Sequence, residues 1–351
     1  MKTISNLVTV VLAGCCTSRA QALAPAPNPA LIGSSYTLTQ SFAVAPGQLV
    51  TMIVDLGVIG AIPSSGIYET VRAPAGADLP SSLAGVSGGY ADVTTNPPSP
   101  QAYLEVRPYW GFSAPYNRDS RSQLAAITIQ IPFEAKCKGC GPLDEVGAGS
   151  VRFDLGGKHG SSVDVSTFPD QVHVLTTCDA FMMPPATVPT NPFSLPPGTY
   201  ATVSVTGLPC PSVVAHGDGS LVSAQSPALP GEVVIAYAVG LGQTNPPLQT
   251  GKIVTAPAPT QATFGLDFNY HPNALASKPL PSAPPPLYSG ATPGFVGLYQ
   301  VNFAVPSPPP GMPPCVVPKT SGENVVYSNL TVSVGGASSF DAARLCVAVN
   351  P

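Results

Sequence analysis

The chain alternates between short runs rich in apolar residues and clusters of proline and glycine. The clearest run is residues 232–239, which are rich in Val, Ile and Tyr and lie between Pro230-Gly231 and Gly240-Leu241-Gly242. β-Branched and aromatic residues suit a pleated strand, and proline and glycine end it. The 44 prolines and 34 glycines among 351 residues exclude long helices, because proline removes a backbone donor and glycine has an entropic cost in a helix. The pattern therefore predicts an all-β protein.

Three landmarks occur twice in the same order, which indicates an internal repeat. They are the Pro-Gly pairs at 46–47 and 230–231, the strands that end at Pro132 and Pro306, and the Gly-Gly pairs at 156–157 and 335–336. The offsets between the copies are 184, 174 and 179 residues. Short strands separated by turn signals are typical of β-sandwiches. We therefore predict a first sandwich domain over residues 31–178, a proline-rich junction over 179–197 and a second sandwich domain over 198–351.

Short motifs follow one another in the second unit: Asp218-Gly-Ser-Leu-Val222, residues 227–234, Gly240-Leu241-Gly242, Thr250-Gly251, residues 294–306 and residues 332–336. In this order they resemble an uncharacterised repeat domain common at the C-termini of exported acidobacterial proteins. The resemblance covers about residues 212–349. A weaker copy covers about residues 35–176, where Ala126 and Thr128 replace Gln300 and Asn302. The resemblance implies two tandem Ig-like β-sandwich domains, and it transfers no catalytic residue because the family has none established.

The N-terminus has the features of an export signal over residues 1–22. Lys2 precedes an apolar stretch that is too short to span a bilayer. Ala20-Gln21-Ala22 fits cleavage for ordinary secretion, whereas Leu12-Ala13-Gly14-Cys15 resembles the bacterial lipobox, in which Cys15 is lipidated. Residues 23–30, rich in Ala and Pro, form a tether under either interpretation. We therefore predict an exported protein that is extracellular or on the cell surface, with an outer-membrane lipoprotein as the second alternative.

Cleavage after residue 22 leaves an even number of cysteines, which indicates disulfides in an oxidising compartment. They are Cys137, Cys140, Cys178, Cys210, Cys315 and Cys346. We predict pairs between sequence neighbours, namely 137–140, 178–210 and 315–346. The Cys137-Lys138-Gly139-Cys140 motif has no helix pattern behind it and supplies only two metal ligands, so we interpret it as a small disulfide.

Composition and motifs exclude several classes of function. Charged residues make up 9% of the chain, the net charge is −4, and Lys and Arg are scattered singly, which argues against nucleic-acid binding. The histidines, which are His159, His173, His216 and His271, show no paired metal-binding spacing. A Walker loop and a dinucleotide fingerprint are both missing from the sequence. We therefore predict no metal, no cofactor and no membrane span beyond the signal.

Aromatic and arginine side chains concentrate in residues 103–121. The candidate binding residues there are Tyr103, Arg107, Tyr109, Trp110, Tyr116 and Arg118. Exposed rings beside Arg on a loop of a rigid sandwich are typical of surfaces that bind glycans or proteins. Large rings also fill sandwich cores, and this alternative assigns the same rings to packing.

Together these patterns favour an exported, non-catalytic protein with a structural or adhesive role at the bacterial cell envelope. Envelope glycans and surface proteins are the expected partners. The first alternative is a carbohydrate- or protein-binding module that uses residues 103–121. The second is a hydrolase whose catalytic residues are dispersed in sequence.

Overall fold

The computed structural model describes residues 42–55, 70–92, 98–108, 124–135, 147–177, 179, 209–320 and 323–349. Every regular element among them is a β-strand, which confirms the predicted all-β class. Within these ranges, no helix has the length and apolarity needed to cross a bilayer. The export signal with Cys15, the tether and residues 180–197 of the junction lie outside the described residues.

The described strands of the first unit form two sheets around one core. They are β1 (Phe42–Val44), β2 (Leu49–Asp55), β3 (Val71–Arg72), β4 (Ser82–Leu83), β5 (Val86–Asp92), β6 (Ser99–Pro100), β7 (Ala102–Pro108), β8 (Leu124–Gln130), β9 (Ala148–Leu155) and β10 (Lys158–Thr167). One sheet has the order β2-β8-β7-β3, and the other has β1-β10-β9-β5-β4 with β6 beside β5. Alternating residues such as Met52, Ile127, Val151 and Phe153 are buried in the core of this unit.

The described strands of the second unit form two sheets in the same way. They are β11 (His173–Val174), β12 (Val214–Ala215), β13 (Val233–Val239), β14 (Ala258–Pro259), β15 (Gly265–Asn269), β16 (Tyr288–Ala291), β17 (Tyr299–Ala304), β18 (Leu330–Gly335) and β19 (Phe340–Leu345). One sheet has the order β11-β13-β17-β16-β14 with β12 also beside β13, and the other has β15-β18-β19. Val234, Val301, Phe303 and Val332 belong to the core of this unit.

Both units have the strand order of a constant-type Ig-like sandwich, in which strands B, E and D form one sheet and C, F and G the other. β2, β8 and β7 take the B, E and D positions in the first unit, and β13, β17 and β16 take them in the second. β5, β9 and β10, and then β15, β18 and β19, take the C, F and G positions. The segment before strand B runs parallel to strand G in both units, through β1 with β10 and through the Ala228–Val347 bridge. The structure therefore contains two tandem Ig-like β-sandwiches, as predicted.

The repeated sequence landmarks occupy equivalent places in the two units. The Pro-Gly pairs precede β2 and β13, Pro132 and Pro306 follow β8 and β17, and the Gly-Gly pairs lie at the turns between strands F and G. Gly47 and Gly231 have φ angles of 75° and 82°, which glycine adopts without the steric cost of a Cβ. The same turn chemistry therefore begins strand B in both sandwiches.

One strand belongs to a different unit from the one that the sequence pattern indicates. Local alternation places residues 171–175 at the end of the first domain. In the structure His173 and Val174 pair with Val239 and Ala238 of β13, in the second unit. The pairing partner of an edge strand is set by tertiary contacts that local alternation does not encode. Residues 169–177, called the linker below, therefore supply the first strand of the second unit's larger sheet.

Cys315 and Cys346 form a disulfide, which confirms that predicted pair. It ties the loop after β17 to the end of β19 across a sequence separation of 31 residues. Closure of a loop of this length stabilises the fold by about 3 kcal/mol in the chain-entropy description. Cys210 is also disulfide-bonded. Its predicted partner Cys178 and the predicted pair Cys137–Cys140 lie outside the described residues, so those pairings stay predictions.

Candidate functional site

The interface between the two sandwiches is the candidate functional site, because several motifs of the second unit meet there. Gly240-Leu241-Gly242 follows β13 and lies beside the linker. Thr250 and Gly251 form hydrogen bonds to the first unit. Gly297, in the loop between β16 and β17, also packs against the first unit. A Cβ on Gly297 would lie 2.8 Å from Leu49 Cγ. Three of the motifs that carry the family resemblance therefore contribute to this interface.

The two glycines that follow β13 are required by the close passage of the linker. Gly240 and Gly242 have φ angles of 78° and 81°. A Cβ at these positions would lie 2.0 Å from the Gln171 oxygen and 1.9 Å from the Pro169 oxygen. The Gly240 carbonyl accepts the Gln171 N–H at 2.7 Å. Any larger residue would displace the linker backbone, because these contacts are with main-chain atoms rather than with flexible side chains.

The loop after β13 makes hydrogen bonds to the first unit. Thr250 Oγ1 accepts the Phe133 N–H at 3.0 Å and donates to Glu134 Oε2 at 2.7 Å. The Gly251 N–H donates to Gln130 Oε1 at 2.7 Å, and the Gln130 side chain is fully buried. Because backbone and buried side-chain groups are paired across the boundary, these hydrogen bonds fix the orientation of the units, and separating the units would exchange them for hydrogen bonds to water.

A salt bridge lies at the edge of the same contact. Lys252 Nζ is 2.8 Å from Asp78 Oδ2, and the Ile253 N–H donates to Asp78 Oδ1 at 2.9 Å. The hydrogen bond from Lys252 is the main cause that lowers the pKa of Asp78, and the Ile253 amide adds to it. Both side chains are half exposed, so the pair aligns the units more than it stabilises them.

A small apolar cluster lies between these polar contacts and draws on both units and the linker. Its members are Leu49, Leu79 and Leu104 from the first unit, Leu175 from the linker, and Val213, Tyr237, Val239 and Leu298 from the second unit. Leu175 and Val239 are fully buried. Burial of apolar surface favours the docked arrangement, whereas domains joined by a bare linker move freely.

Asp170 fixes the linker to the turn between β18 and β19. Its buried carboxylate accepts the N–H groups of Ala337, Ser338 and Ser339 at 2.8–3.2 Å, and the Ser339 hydroxyl at 2.9 Å. A Cβ on Gly336 would lie 2.6 Å from Asp170 Oδ2. Gly336 of the second Gly-Gly pair therefore leaves room for the Asp170 carboxylate, which accepts hydrogen bonds from the N–H groups of this turn.

His173 joins the linker strand to two carboxylates on opposite edges of its ring. Nδ1 lies 2.9 Å from Asp341 Oδ2, and Nε2 lies 3.2 Å from both oxygens of Asp179. Burial lowers the pKa of His173, but the two carboxylates outweigh it and raise the pKa to about 9. The ring is therefore an imidazolium that donates both N–H groups, so it has no lone pair with which to act as a general base or a metal ligand.

Ser226, His216 and Glu232 form a second imidazole cluster that has the residue types of a hydrolase triad. His216 Nδ1 lies 2.7 Å from Glu232 Oε1. His216 Nε2 lies 3.1 Å from the Ser226 carbonyl and 3.3 Å from its hydroxyl. The hydrogen bond to Glu232 is the largest cause that raises the pKa of His216. The carbonyl accepts a hydrogen bond from Nε2–H, and a ring nitrogen that donates in this way does not activate the Ser226 hydroxyl as a nucleophile.

The structure places two of the predicted binding residues inside the first sandwich. Tyr103 in β7 is fully buried, and its hydroxyl donates to Gln101 Oε1 at 2.9 Å. Arg107 is 2% exposed and lies 3.3 Å from Glu105, which also pairs with Arg72. The prediction that these two residues lie on an exposed binding surface is therefore wrong. Both belong to β7, and their side chains are buried in the first sandwich. Tyr109, Trp110, Tyr116 and Arg118 lie outside the described residues.

Metal-binding chemistry finds no support in the described part of the chain. There, no three His, Cys, Asp or Glu side chains are placed to hold one ion. The interface contacts were not visible in the sequence, because Asp170 and His173 lie more than 160 positions from Ser339 and Asp341. The alternating position of His173 in a strand was the one signal that its ring is buried.

No protein-family model matches the chain. No curated protein matches it either. Among solved structures the chain is similar to FdeC, described as a broadly conserved Escherichia coli adhesin, with 8% identity and a TM-score of 0.21. The match covers 95% of this chain and 65% of that chain, so this chain spans less than two thirds of its length.

Proposed function

We propose that the protein is an exported, non-catalytic protein of the bacterial cell envelope with a structural or adhesive role. The observation that carries this proposal is the interface between the two Ig-like sandwiches. A linker strand, buried polar pairs and an apolar cluster hold the units together. Domains joined in this way keep their surfaces at a fixed spacing, which is what a spacer or an adhesive stalk requires.

The state of the imidazoles supports a non-catalytic role. His173 donates both ring N–H groups to carboxylates, and His216 is held between Glu232 and a backbone carbonyl. A histidine that acts as a general base needs a ring nitrogen that is unprotonated at the operating pH and free to accept a proton. Both rings are instead used to connect segments of the second sandwich.

The cysteines support export. Cys315–Cys346 is a disulfide and Cys210 is disulfide-bonded. Disulfides persist in secreted and periplasmic proteins and are rare in the cytosol. We also propose that the second sandwich belongs to the exported Ig-like repeat family that its motifs resemble, and the part that three of those motifs take in the interface supports this.

Cell fractionation tests the proposed location. The full chain with its own N-terminus is expressed in a bacterial host, and intact cells are treated with protease. We expect the chain in the medium or in a protease-accessible form at the surface. A Cys15→Ala variant separates the two export routes, because it releases the chain only if Cys15 carries the lipid. Recovery of the chain in the cytoplasmic fraction would contradict the proposal.

Co-sedimentation tests the proposed role. Purified full-length chain is mixed with isolated cell envelopes, and its binding is compared with that of a non-binding protein of similar size. We expect saturable binding that does not consume or release any small product. Absence of binding together with turnover of an envelope polymer would instead favour the hydrolase alternative.

A further inference from the structure

The sheet that contains β13, β17 and β16 turns one face to the core and the other to solvent. On β17, Val301 and Phe303 are buried in the core, while Gln300 and Asn302 are half-buried on the outer face. These two amides belong to the family-type motif and have no part in the core or in the interface described above. Their placement therefore needs another explanation.

The neighbouring strands place uncharged side chains on both sides of the amides. Tyr288 and Gly290 of β16 are in register with Asn302 and Gln300, and Ile235 and Tyr237 of β13 are in register with the same pair. The strands of a sheet are about 5 Å apart, so these residues form a continuous strip roughly 10 Å wide. Since none of these residues is charged, the strip suits a neutral partner.

Tyr288 lies along its own strand. A Cβ on Gly290 would lie 2.3 Å from the Tyr288 hydroxyl and 2.6 Å from Cζ, so the ring occupies the space above Gly290. Tyr288 is half-buried, so part of its side chain is exposed, and it is in register with Asn302. An aromatic ring held flat on a sheet offers an apolar face on which the C–H groups of a sugar ring can stack.

The amides supply the polar part of the strip. Gln300 Nε2 donates to Asn302 Oδ1 at 3.2 Å. Gln300 Oε1 and Asn302 Nδ2 make no hydrogen bond to any other residue that the structure describes. An acceptor and a donor thus lie side by side, and vicinal sugar hydroxyls both donate and accept hydrogen bonds.

The first sandwich lacks this arrangement at the equivalent positions. Its strand E has Ala126 and Thr128 in place of Gln300 and Asn302. Thr128 is fully buried, and its hydroxyl lies 2.8 Å from that of Thr51. The strip is therefore a property of the second sandwich and not a requirement of the fold.

We propose that this outer face binds a neutral polysaccharide, with Tyr288 stacking against a sugar ring and with Gln300 and Asn302 binding its hydroxyls. The assignment deepens the proposed adhesive role and rests on it, because it names the class of partner. A charged glycan would bring acidic or basic groups onto a strip that offers them no partner.

Affinity electrophoresis of the full-length chain tests the assignment. Native gels contain a soluble neutral β-glucan, a neutral mannan or, as the charged counterpart, polygalacturonate. We expect retardation in at least one neutral gel, weakened about tenfold by Tyr288→Ala and by the Gln300→Ala/Asn302→Ala double variant, as for the loss of one or two good contacts. Tyr288→Phe keeps the ring and should bind as the native chain does. Phe295→Ala removes an aromatic side chain that is 53% exposed on another loop, and should also leave binding unchanged.

Several outcomes would overturn the assignment: no retardation in either neutral gel, stronger retardation by polygalacturonate, or equal binding by the native chain and the folded double variant. Circular dichroism confirms that each variant is folded. If the variants still co-sediment with cell envelopes as the native chain does, this assignment fails while the adhesive role stands. If the chain binds a neutral glucan but remains in the cytoplasm, the proposed function fails while this site stands.

Discussion

Gly240 and Gly231 share a left-handed backbone but differ in what surrounds them. A Cβ on Gly231, which has a φ of 82°, would have no atom within 4 Å, whereas a Cβ on Gly240 would lie 2.0 Å from the Gln171 oxygen. Gly231→Ala should therefore cost only the left-handed conformation, about 1–2 kcal/mol. Gly240→Ala should cost about 4 kcal/mol or more, since the linker backbone must also move. Urea unfolding of the two disulfide-intact variants measures this difference, and equal costs would show that the linker does not pack on Gly240.

His173 should make stability depend on pH in the alkaline range. Its folded-state pKa of about 9 lies above the ordinary value of 6.5, so its contribution is complete below pH 6.5 and is lost as the pH rises through about 9. A shift of this size corresponds to about 3 kcal/mol. We expect the difference in unfolding free energy between the native chain and His173→Gln to shrink by roughly that amount from pH 6 to pH 10.

The variant comparison isolates this residue, because the raised pKa of His216 affects both proteins equally. A difference that stays constant with pH would contradict the imidazolium assignment. No spacing in the sequence reveals this cluster, since Asp179 and Asp341 lie 6 and 168 positions from His173 along the chain. What the sequence does indicate is the strand position of the histidine.

At the scale of single elements, Asp170 and Asp218 offer a matched pair of turn-capping carboxylates. Asp170 is buried and accepts several hydrogen bonds from the turn between β18 and β19. Asp218 is exposed and accepts the Ser220 N–H at 2.9 Å within its own turn. We expect Asp170→Ala to cost about 2–4 kcal/mol and Asp218→Ala to cost clearly less, because water replaces the bonds of an exposed carboxylate. Thermal unfolding measures both, and comparable costs would show that the linker contributes nothing to the turn.

The strands could be predicted where a run of alternating apolar residues is bounded by proline or glycine. Residues 232–239 contain β13, and Pro132 and Pro306 follow β8 and β17 as the sequence indicates. The neighbours of a strand were less predictable. Residues 171–175 alternate like any half-buried strand, and only tertiary contacts place β11 beside β13.

The interior of β7 shows a second limit. The segment Ala102–Pro108 reads as a strand, but Glu105 and Arg107 are charged and would ordinarily be assigned to the surface. Their burial depends on the Arg72–Glu105–Arg107 pairing across β3 and β7. Without that pairing information the sequence leaves two alternatives open, an exposed binding surface and a packing role, and the structure assigns Tyr103 and Arg107 to packing.

At the scale of the whole molecule, the repeat in the sequence predicts two sandwiches but not how they meet. Gly240-Leu241-Gly242 is readable as a turn from its composition alone. Its glycines also leave room for the backbone of the linker, and this can be seen only in the folded chain. This motif of the second domain thus serves its contact with the linker as well as its own fold.

The interface should make the two sandwiches unfold together. Leu49 is 4% exposed and packs with Leu175, Val213 and Val239, so Leu49→Asp would place an unpaired carboxylate in the apolar cluster. We expect the native chain to show one cooperative thermal transition, and Leu49→Asp to show two transitions with a larger radius of gyration in small-angle X-ray scattering. Leu280→Asp is the matched control, because Leu280 is 73% exposed and the same change there should leave one transition. A single unchanged transition in Leu49→Asp would mean that the apolar cluster does not couple the sandwiches. Two transitions in the native chain would mean that the sandwiches are independent, and a rigid spacing between their surfaces could then not be the basis of the protein's role.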